Sequence, residues 1–158
     1  VGDEKYLVMA GAGGGYTCSA YITFTQIDRT RTIIDQTNYW YIADSEIEAL
    51  YITGLLNSSA LDSIIADFQP EGAQGRRHVH KLPYAVTPRF DAENPMHISV
   101  AITTQAIIGE VMDRQFVFDL VAPTARNLGP RRRRVREFIG QLPGYSDYEE
   151  ACRGVYNV

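Results

Sequence analysis

The N-terminal quarter of the chain alternates short apolar runs with turn-forming residues, which is the pattern of a β-sheet. Four segments are rich in Tyr, Ile, Thr and Val, the residues that favour strands. They span residues 6–10, 18–25, 30–35 and 38–44. Their close succession predicts an N-terminal β-meander. Because side chains alternate between the two faces of a strand, we expect Trp40 to lie in the core rather than to stack on bases.

The hydrophobic period changes from that of a strand to that of a helix after Ser45. Ser45 precedes a stripe of apolar residues and Glu48 follows three positions later, which together predict a capping box. An Asn-Ser pair at positions 57–58 breaks this stripe. A second helix is predicted from Ser59, and Pro70 ends it. The side chains that this second helix presents to the core are Leu61, Ile64, Ile65 and Phe68.

Proline and glycine interrupt the residues between the second helix and Asn94. This pattern predicts a loop and then a short extended edge strand over residues 82–87. Asn94 and Pro95 make a helix start with proline in the first turn, and the apolar period continues to Asp113. One further strand and two further helices are predicted over residues 116–122, 130–140 and 146–153.

These elements predict a mixed α+β (α/β) fold with helices packed on a mixed sheet. At 158 residues the chain has the length of one domain. We expect residues 1–122 to form the core and residues 123–158 to form an Arg-rich helical extension of the same domain. From the start at Val1, in place of Met, we expect either a piece excised from a longer polypeptide or a processed chain.

Charge is distributed unevenly along the sequence. The net charge of −4 argues against a nucleic-acid partner, because Lys and Arg supply most of the affinity for phosphates. However, four basic residues lie within positions 76–89 and six within positions 126–136, which makes ten of the 15 in the chain. No acidic residue lies between Glu71 and Asp91. An acidic protein of this kind can still present one basic face.

The cysteines and the apolar runs indicate the cellular compartment of the protein. Cys18 and Cys152 are too few for a disulfide framework and lack the spacing of metal ligands. The N-terminus lacks the pattern of a signal peptide, and no apolar run approaches the ~20 residues that a membrane span needs. We therefore expect a cytoplasmic protein with no membrane partner.

Two further patterns suggest chemistry, and neither completes a known motif. The glycines within residues 11–15 resemble a nucleotide-binding loop, but Tyr16 replaces the last glycine and a predicted strand follows, so we interpret them as a hairpin turn. His78 and His80 would point to the same side of a strand and could share a metal ion, although no third ligand has evident spacing. The other interpretation is that both line a basic, polar loop.

Four consecutive arginines, at positions 131–134, begin the predicted C-terminal helix. They cannot all point in one direction on a helix. Two interpretations stay open. One is a solvated helix held to the core by Val135, Phe138 and Ile139, and the other is a helix that contacts phosphates.

Four parts of the chain resemble, in order, the TaqI-like target-recognition domain at the C-terminus of adenine-N6 DNA methyltransferases. They are a strand with an Ile-Asp pair and nearby aromatic residues, a helix with Leu-Leu-Asn-Ser, a basic loop and a proline-flanked extended segment. In this chain these parts are residues 34–41, 55–58, 76–81 and 82–88. The resemblance extends over residues 30–112.

The resemblance implies sequence-specific binding of double-stranded DNA without catalysis, with residues 1–122 as the target-recognition core. The family's Asn/Asp-Pro-Pro-Tyr/Phe motif is absent, and Asn94-Pro95-Met96 is only a partial echo of it. We expect no cofactor in this segment, since S-adenosylmethionine would bind a separate catalytic methyltransferase domain of the same polypeptide. Arg and Lys suit guanine edges and phosphates, and Gln suits adenine. The candidate DNA-binding residues are Gln74, Arg76, Arg77, His78, His80, Lys81, Arg89, Arg131, Arg132, Arg133 and Arg134.

Two other functions fit parts of the same sequence. The first is a protein-interaction module in which the Arg-rich helix meets an acidic partner. The second is a small metal-dependent hydrolase that uses His78 and His80.

Overall fold

A three-stranded antiparallel sheet forms one side of the molecule. The computed structural model describes residues 4–11, 17–27, 32–34, 38–68, 71–72, 75–76, 82–114 and 128–158. The sheet contains β1 (Tyr6–Gly11), β2 (Cys18–Thr23) and β3 (Asn38–Ala43), in the order β2-β1-β3. Both β2 and β3 pair with β1, so the strand order differs from that of the predicted meander. Among the described strands, β2 and β3 are the two edges of this sheet.

Six helices follow the sheet in the described residues, and the predicted mixed α+β class is confirmed. A short antiparallel ladder joins β4 (Glu71–Gly72) to β5 (Gly75–Arg76) between the second and third helices. The helices are α1 (Glu46–Asn57), α2 (Ser59–Ile65), α3 (Leu82–Val86), α4 (Pro95–Asp113), α5 (Leu128–Ile139) and α6 (Tyr145–Tyr156).

The central helix is α1, which is buried around its whole circumference. Eight consecutive residues, from Ala49 to Leu56, are buried, as expected for a helix that is apolar on all sides. The predicted cap forms, because Ser45 Oγ accepts from the N–H of Glu48 at 3.3 Å. The glutamate carboxylate turns back to the N–H of Asp44, at 2.8 Å, one residue earlier than a standard capping box.

No single described helix is long and apolar enough to cross a membrane. Taken together, the segments Glu46–Asn57 and Ser59–Phe68 have the length and composition of a membrane span, and they form a pair bent by 57°.

The break between α1 and α2 connects the helices to the sheet. Asn57, the last residue of α1, accepts from the N–H of Ser19 at 2.9 Å and donates to its carbonyl at 2.8 Å. Its amide therefore pairs with the edge strand β2 as a neighbouring strand would. Ser58 is fully buried, accepts from the N–H of Leu61 and donates to the carbonyl of Leu55. The predicted role of this Asn-Ser pair in closing α1 is confirmed.

Several predictions for local structure are wrong. Residues 82–87 do not form an edge strand, since Leu82–Val86 is helical. Proline lacks only an N–H that the first turn of a helix does not use, so Pro83 is compatible with this position. The carbonyl of Pro83 accepts from the N–H and the hydroxyl of Thr87, at 3.2 and 2.6 Å. Thr32 to Ile34 are not in a strand, and the strand predicted over residues 116–122 lies outside the described residues.

Trp40 and Phe68 are not core residues, since their exposed fractions are 56% and 61%. The register explains Trp40, which pairs with Met9, whereas Tyr41 pairs with the fully buried Val8. Because neighbours along a strand alternate between faces, Trp40 lies on the face opposite to Val8. Phe68 follows the end of α2, in a short 3₁₀ turn.

His97, near the start of α4, is buried and hydrogen-bonded. It stacks on Tyr51 with ring centroids 4.6 Å apart, and its Nδ1 accepts from the N–H of Asp91 at 3.0 Å. Burial lowers the pKa of His97 below its ordinary value of 6.5, and the nearby negative charge of Asp91 opposes that change. The neutral imidazole is therefore the form that the fold favours.

We expect this histidine to make the fold less stable in acid. Its pKa is lower in the folded chain than in the unfolded chain, so the unfolded chain binds more protons below pH 6.5. The stabilisation is complete above pH 6.5 and decreases as the pH falls through that value towards the folded pKa. Urea unfolding between about pH 7.5 and 5.5 would measure it. His97→Gln should show a flatter pH dependence, and identical profiles for the two proteins would refute the expectation.

Candidate nucleic-acid interface

The Arg-rich segment forms a helix, as predicted, and its arginines divide between two faces. α5 has Pro130 in its first turn and ends before Gly140, whose N–H donates to the carbonyl of Arg136 at 3.0 Å. Residues four positions apart lie on the same face of a helix. Arg132 and Arg136 are half-buried, whereas Arg133 and Arg134 are exposed.

Arg136 connects α5 to the body of the protein. Its Nη2 donates to the carbonyl of Thr17 at 2.6 Å and lies 3.4 Å from Oδ2 of Asp62. The other oxygen of Asp62 accepts from the N–H of Thr17 at 3.2 Å. The side chains of Arg136 and Asp62 are each 19% exposed. We assign Arg136 a structural role, because its guanidinium joins α5, α2 and the residue preceding β2.

Arg132 lies against the backbone at the end of the central strand. A Cβ atom placed on Gly11 would be only 2.5 Å from its Nη2. Glycine at position 11 therefore permits the close approach of a side chain from α5. Gly11 also pairs with Cys18, so the next described element is an antiparallel strand rather than a helix. The predicted hairpin turn, at residues 12–16, lies outside the described residues.

Two of the candidate arginines on α5 face outward. Arg133 and Arg134 are exposed on the side of the helix that is turned away from Ile139. Glu137 is exposed four positions after Arg133 and reduces the positive charge of that face by one. Arg131 is half-buried. The outer face of α5 is therefore the part of the Arg-rich segment that is suited to contact a polyanion.

Acidic residues are concentrated at the other end of β1. Tyr6, the first residue of β1, donates to Glu4 at 3.4 Å, and Lys5 pairs with Asp44. The same end holds the start of α1, where Glu46 and Glu48 accept from tyrosine hydroxyls. Arg132 lies at Gly11, five residues further along the strand and about 17 Å away. Four carboxylates therefore lie at one end of β1 and Arg132 lies at the other, although Lys5 lies at the first end and Asp62 at the second.

Arg89 lies apart from α5. Burial and the hydrogen bond to Glu48 raise the pKa of Tyr41 to about 12, and the nearby positive charge of Arg89 opposes that rise. This places Arg89 near Tyr41 of β3, whereas the contacts of α5 given above are at Gly11, Thr17 and Asp62.

The basic loop that is predicted to bind DNA is only partly described. Gly72 pairs with Gly75 and Glu71 with Arg76, which makes a short hairpin of the glycine-containing segment. The backbone of Arg76 lies in β5. Five other candidates of this loop lie outside the described residues: Gln74, Arg77, His78, His80 and Lys81.

The described residues give little support to a metal site or to a hydrolase active site. Within them, no three His, Cys, Asp or Glu residues come together as metal ligands. His97, the third histidine of the chain, uses Nδ1 as a hydrogen-bond acceptor within the fold. Burial raises the pKa of the Cys152 thiol to about 12, so this cysteine is not a nucleophile at neutral pH. The pair His78 and His80, which the hydrolase hypothesis needs, lies outside the described residues.

Comparison with solved structures shows a similarity in fold. The fold is similar to part of a DNA-bound enzyme. That enzyme is the Type IIL restriction-modification enzyme MmeI, solved in complex with DNA. The match covers 98% of this chain at a TM-score of 0.61 and 14% sequence identity. No protein-family model and no curated protein sequence matches the chain.

This chain spans about a fifth of the length of the MmeI chain, since the match covers 19% of it. At 14% identity the two share a fold. The MmeI structure belongs to the restriction-modification class that the sequence resemblance also named, but the match does not extend to the TaqI-like domains within that class.

Proposed function

We propose that this chain is a DNA-binding unit of a restriction-modification protein and that it reads the target sequence without catalysing a reaction. The observation that carries the proposal is the likeness of almost the whole chain to one part of a restriction-modification enzyme solved with DNA. The sequence resemblance within residues 30–112 supports it through two of its four parts, the Leu-Leu-Asn-Ser helix and the basic loop, because residues 32–34 are not in a strand and Leu82–Val86 is helical.

The separation of charge supports the same function. A protein with a net charge of −4 would be repelled by DNA if its charges were evenly spread. Here Glu46 and Glu48 lie at one end of the sheet and the outer face of α5 lies near the other. In this proposal the exposed Arg133 and Arg134 contact the phosphates.

The loop and the helix have different roles in this proposal. The loop of residues 72–81 has side chains suited to base edges, namely Gln74, Arg76, Arg77 and Lys81, and it reads sequence. The outer face of α5 contacts phosphates and fixes the orientation of the duplex. Methyl transfer to adenine requires the base to leave the stack, and a separate catalytic domain with bound S-adenosylmethionine performs it.

We expect the chain to bind duplex DNA in a strongly salt-dependent manner. Each phosphate contact releases counterions, so the logarithm of the binding constant falls by about 0.9 per contact for each unit of log salt. Fluorescence anisotropy with a labelled duplex, from about 50 to 300 mM salt, would measure the slope. No binding at low salt, or binding that is independent of salt, would contradict the proposal. Selection from a randomised duplex library then tests whether the chain prefers a sequence.

A further inference from the structure

The C-terminal end of α4 brings a further arginine against α5. Arg114 follows the last residue of α4, and its backbone N–H donates to the carbonyl of Val111 at 3.3 Å. Its guanidinium lies over the ring of Phe138 on α5, with Cζ 5.8 Å from the ring centroid. An arginine at this distance from an aromatic ring makes a cation–π contact. The guanidinium of Arg114 is therefore held beside α5, although Arg114 belongs to neither basic segment of the sequence.

Phe138 lies on the flank of α5 that also carries Arg134. Each residue of an α-helix advances about 100° around the axis, so Arg134, four positions earlier, lies about 40° from Phe138. By the same geometry Arg136 lies about 160° from Phe138, and its Nη2 is 3.4 Å from Oδ2 of Asp62. The flank turned towards Asp62 is thus opposite to the flank that meets Arg114. Arg114 and the exposed Arg134 lie on the same side of α5.

One carboxylate lies close to Arg114. Nη2 of Arg114 is 3.7 Å from Oε2 of Glu110, one turn earlier on α4. This distance is too long for a hydrogen bond, and the two side chains are 55% and 51% exposed. Exposed ion pairs contribute little and are screened by salt. Phe138 therefore positions a guanidinium that solvent, and an anion in solution, can reach.

We propose that Arg114 binds a phosphate of double-stranded DNA and extends the outer face of α5 onto the end of α4. This inference rests on the DNA binding proposed above. A guanidinium can donate two parallel hydrogen bonds to one phosphate. Phosphates follow one another about every 3.4 Å along each strand of a duplex, so Arg114 and Arg134 can bind the same strand. A duplex bound by both arginines lies across α5 and the end of α4.

Variants that change one charge test this assignment. Arg114→Gln removes the guanidinium and keeps a polar side chain, whereas Arg114→Lys keeps the positive charge. Arg153→Gln is the matched control, because Arg153 is exposed on α6. Anisotropy titrations of the full chain with a labelled duplex, at several salt concentrations, give the affinity and its salt slope. Urea denaturation of each variant measures any effect on the fold.

We expect Arg114→Gln to weaken DNA binding about threefold near 100 mM salt and to reduce the salt slope by about one. Arg114→Lys should keep the slope of the parent chain, and Arg153→Gln should change affinity and slope much less than Arg114→Gln. The urea midpoint should stay the same in all three variants. A lower midpoint for Arg114→Gln with an unchanged salt slope would overturn the proposal, because Arg114 would then only join α4 to α5.

The behaviour of the parent chain separates this contact from DNA binding itself. If the parent chain binds DNA with a steep salt dependence and Arg114→Gln binds equally well, Arg114 is not a phosphate contact and the proposed function stands. Equal losses in Arg114→Gln and Arg153→Gln would also overturn the contact, since net charge would then be the cause. If the parent chain does not bind DNA at low salt, the contact and the proposed function are both wrong.

Discussion

Replacing Gly54 with alanine should destabilise the fold by about 3 kcal/mol, because the new methyl group has no room where α1 crosses α4. A Cβ atom on Gly54 would lie 2.0 Å from Oγ1 of Thr104 and 3.1 Å from Cγ1 of Val100. Thr104 and Val100 are buried, and their short, β-branched side chains cannot turn away without moving α4. The free energy of unfolding, measured by urea denaturation, is the test.

A second substitution shows whether this clash is the cause. Thr104→Ala removes the atom that the new methyl group would meet, and that hydroxyl has no hydrogen-bond partner to lose among the described residues. The double variant Gly54→Ala with Thr104→Ala should therefore recover most of the stability that Gly54→Ala loses. The coupling energy of this cycle should be at least about 1 kcal/mol. If the two effects simply add, the clash with Thr104 is not the cause.

Gly109→Ala is the matched control for the glycine substitution. It lies on α4, is exposed, and a Cβ atom there would have no neighbour within 4 Å. Alanine in an exposed helix interior is more favourable than glycine by about 1 kcal/mol. Gly109→Ala should therefore stabilise the chain. A loss at position 109 similar to that at position 54 would mean that helix conformation rather than crowding sets the cost.

The sequence predicts the start of α1, its end and the start of α4, because each depends on a few adjacent residues. Ser45 and Asn94 cap the N-termini of these helices, as the pattern predicts. The packing of the same helices depends on distant residues. Gly54 falls in the apolar stripe of α1, and nothing near it in the sequence indicates that Thr104 will lie against it.

The strand order was not predicted either, because it also depends on contacts between residues that are distant in the sequence. A meander pairs each strand with the next, and the sequence contains no local signal that β3 returns to β1. Asn57 was predicted to end α1, but its amide also bonds to both backbone groups of Ser19, 38 residues away. The exposure of Trp40 follows from this register. A strand pattern shows that neighbouring side chains alternate between the two faces of the sheet, but it does not show which face α1 will cover.

The division of the arginines on α5 could have been predicted in part. Once Val135 and Ile139 are assigned to the inner face, the helical period places Arg132 and Arg136 beside them and turns Arg133 and Arg134 outward. The partners of the inner arginines, at Gly11 and Asp62, could not be predicted because they lie far away in the sequence. Arg136 was therefore counted with the basic residues of the segment, although the structure gives it a structural role.

The outer face of α5 should contribute to DNA affinity without contributing to stability. Replacing Arg133 and Arg134 with glutamine should weaken binding to any duplex by roughly tenfold and reduce the salt slope by about two, if each contacts one phosphate. The free energy of unfolding should stay within about 0.5 kcal/mol, since both side chains are exposed. Anisotropy titrations over a salt series measure the first effect and urea denaturation the second.

Lys5→Gln with Arg153→Gln is the matched control, because it removes the same total charge from sites away from α5. Its DNA affinity should change much less than that of the Arg133 and Arg134 variant. Equal losses in the two double variants would show that net charge, rather than the face of α5, determines binding.

Variants of the loop distinguish contacts that read the bases from contacts that position the duplex. We expect Arg76→Ala with Arg77→Ala to weaken binding more than Arg131→Ala with Arg132→Ala, and to reduce the preference for the selected sequence as well. A phosphate contact weakens all sequences alike, whereas a lost base contact costs about 1–3 kcal/mol of discrimination. Because Arg131 and Arg132 are half-buried, their variant must be compared at matched stability. If both variants lose affinity equally on every sequence, the loop does not read bases, and α5 is as important for binding as the loop.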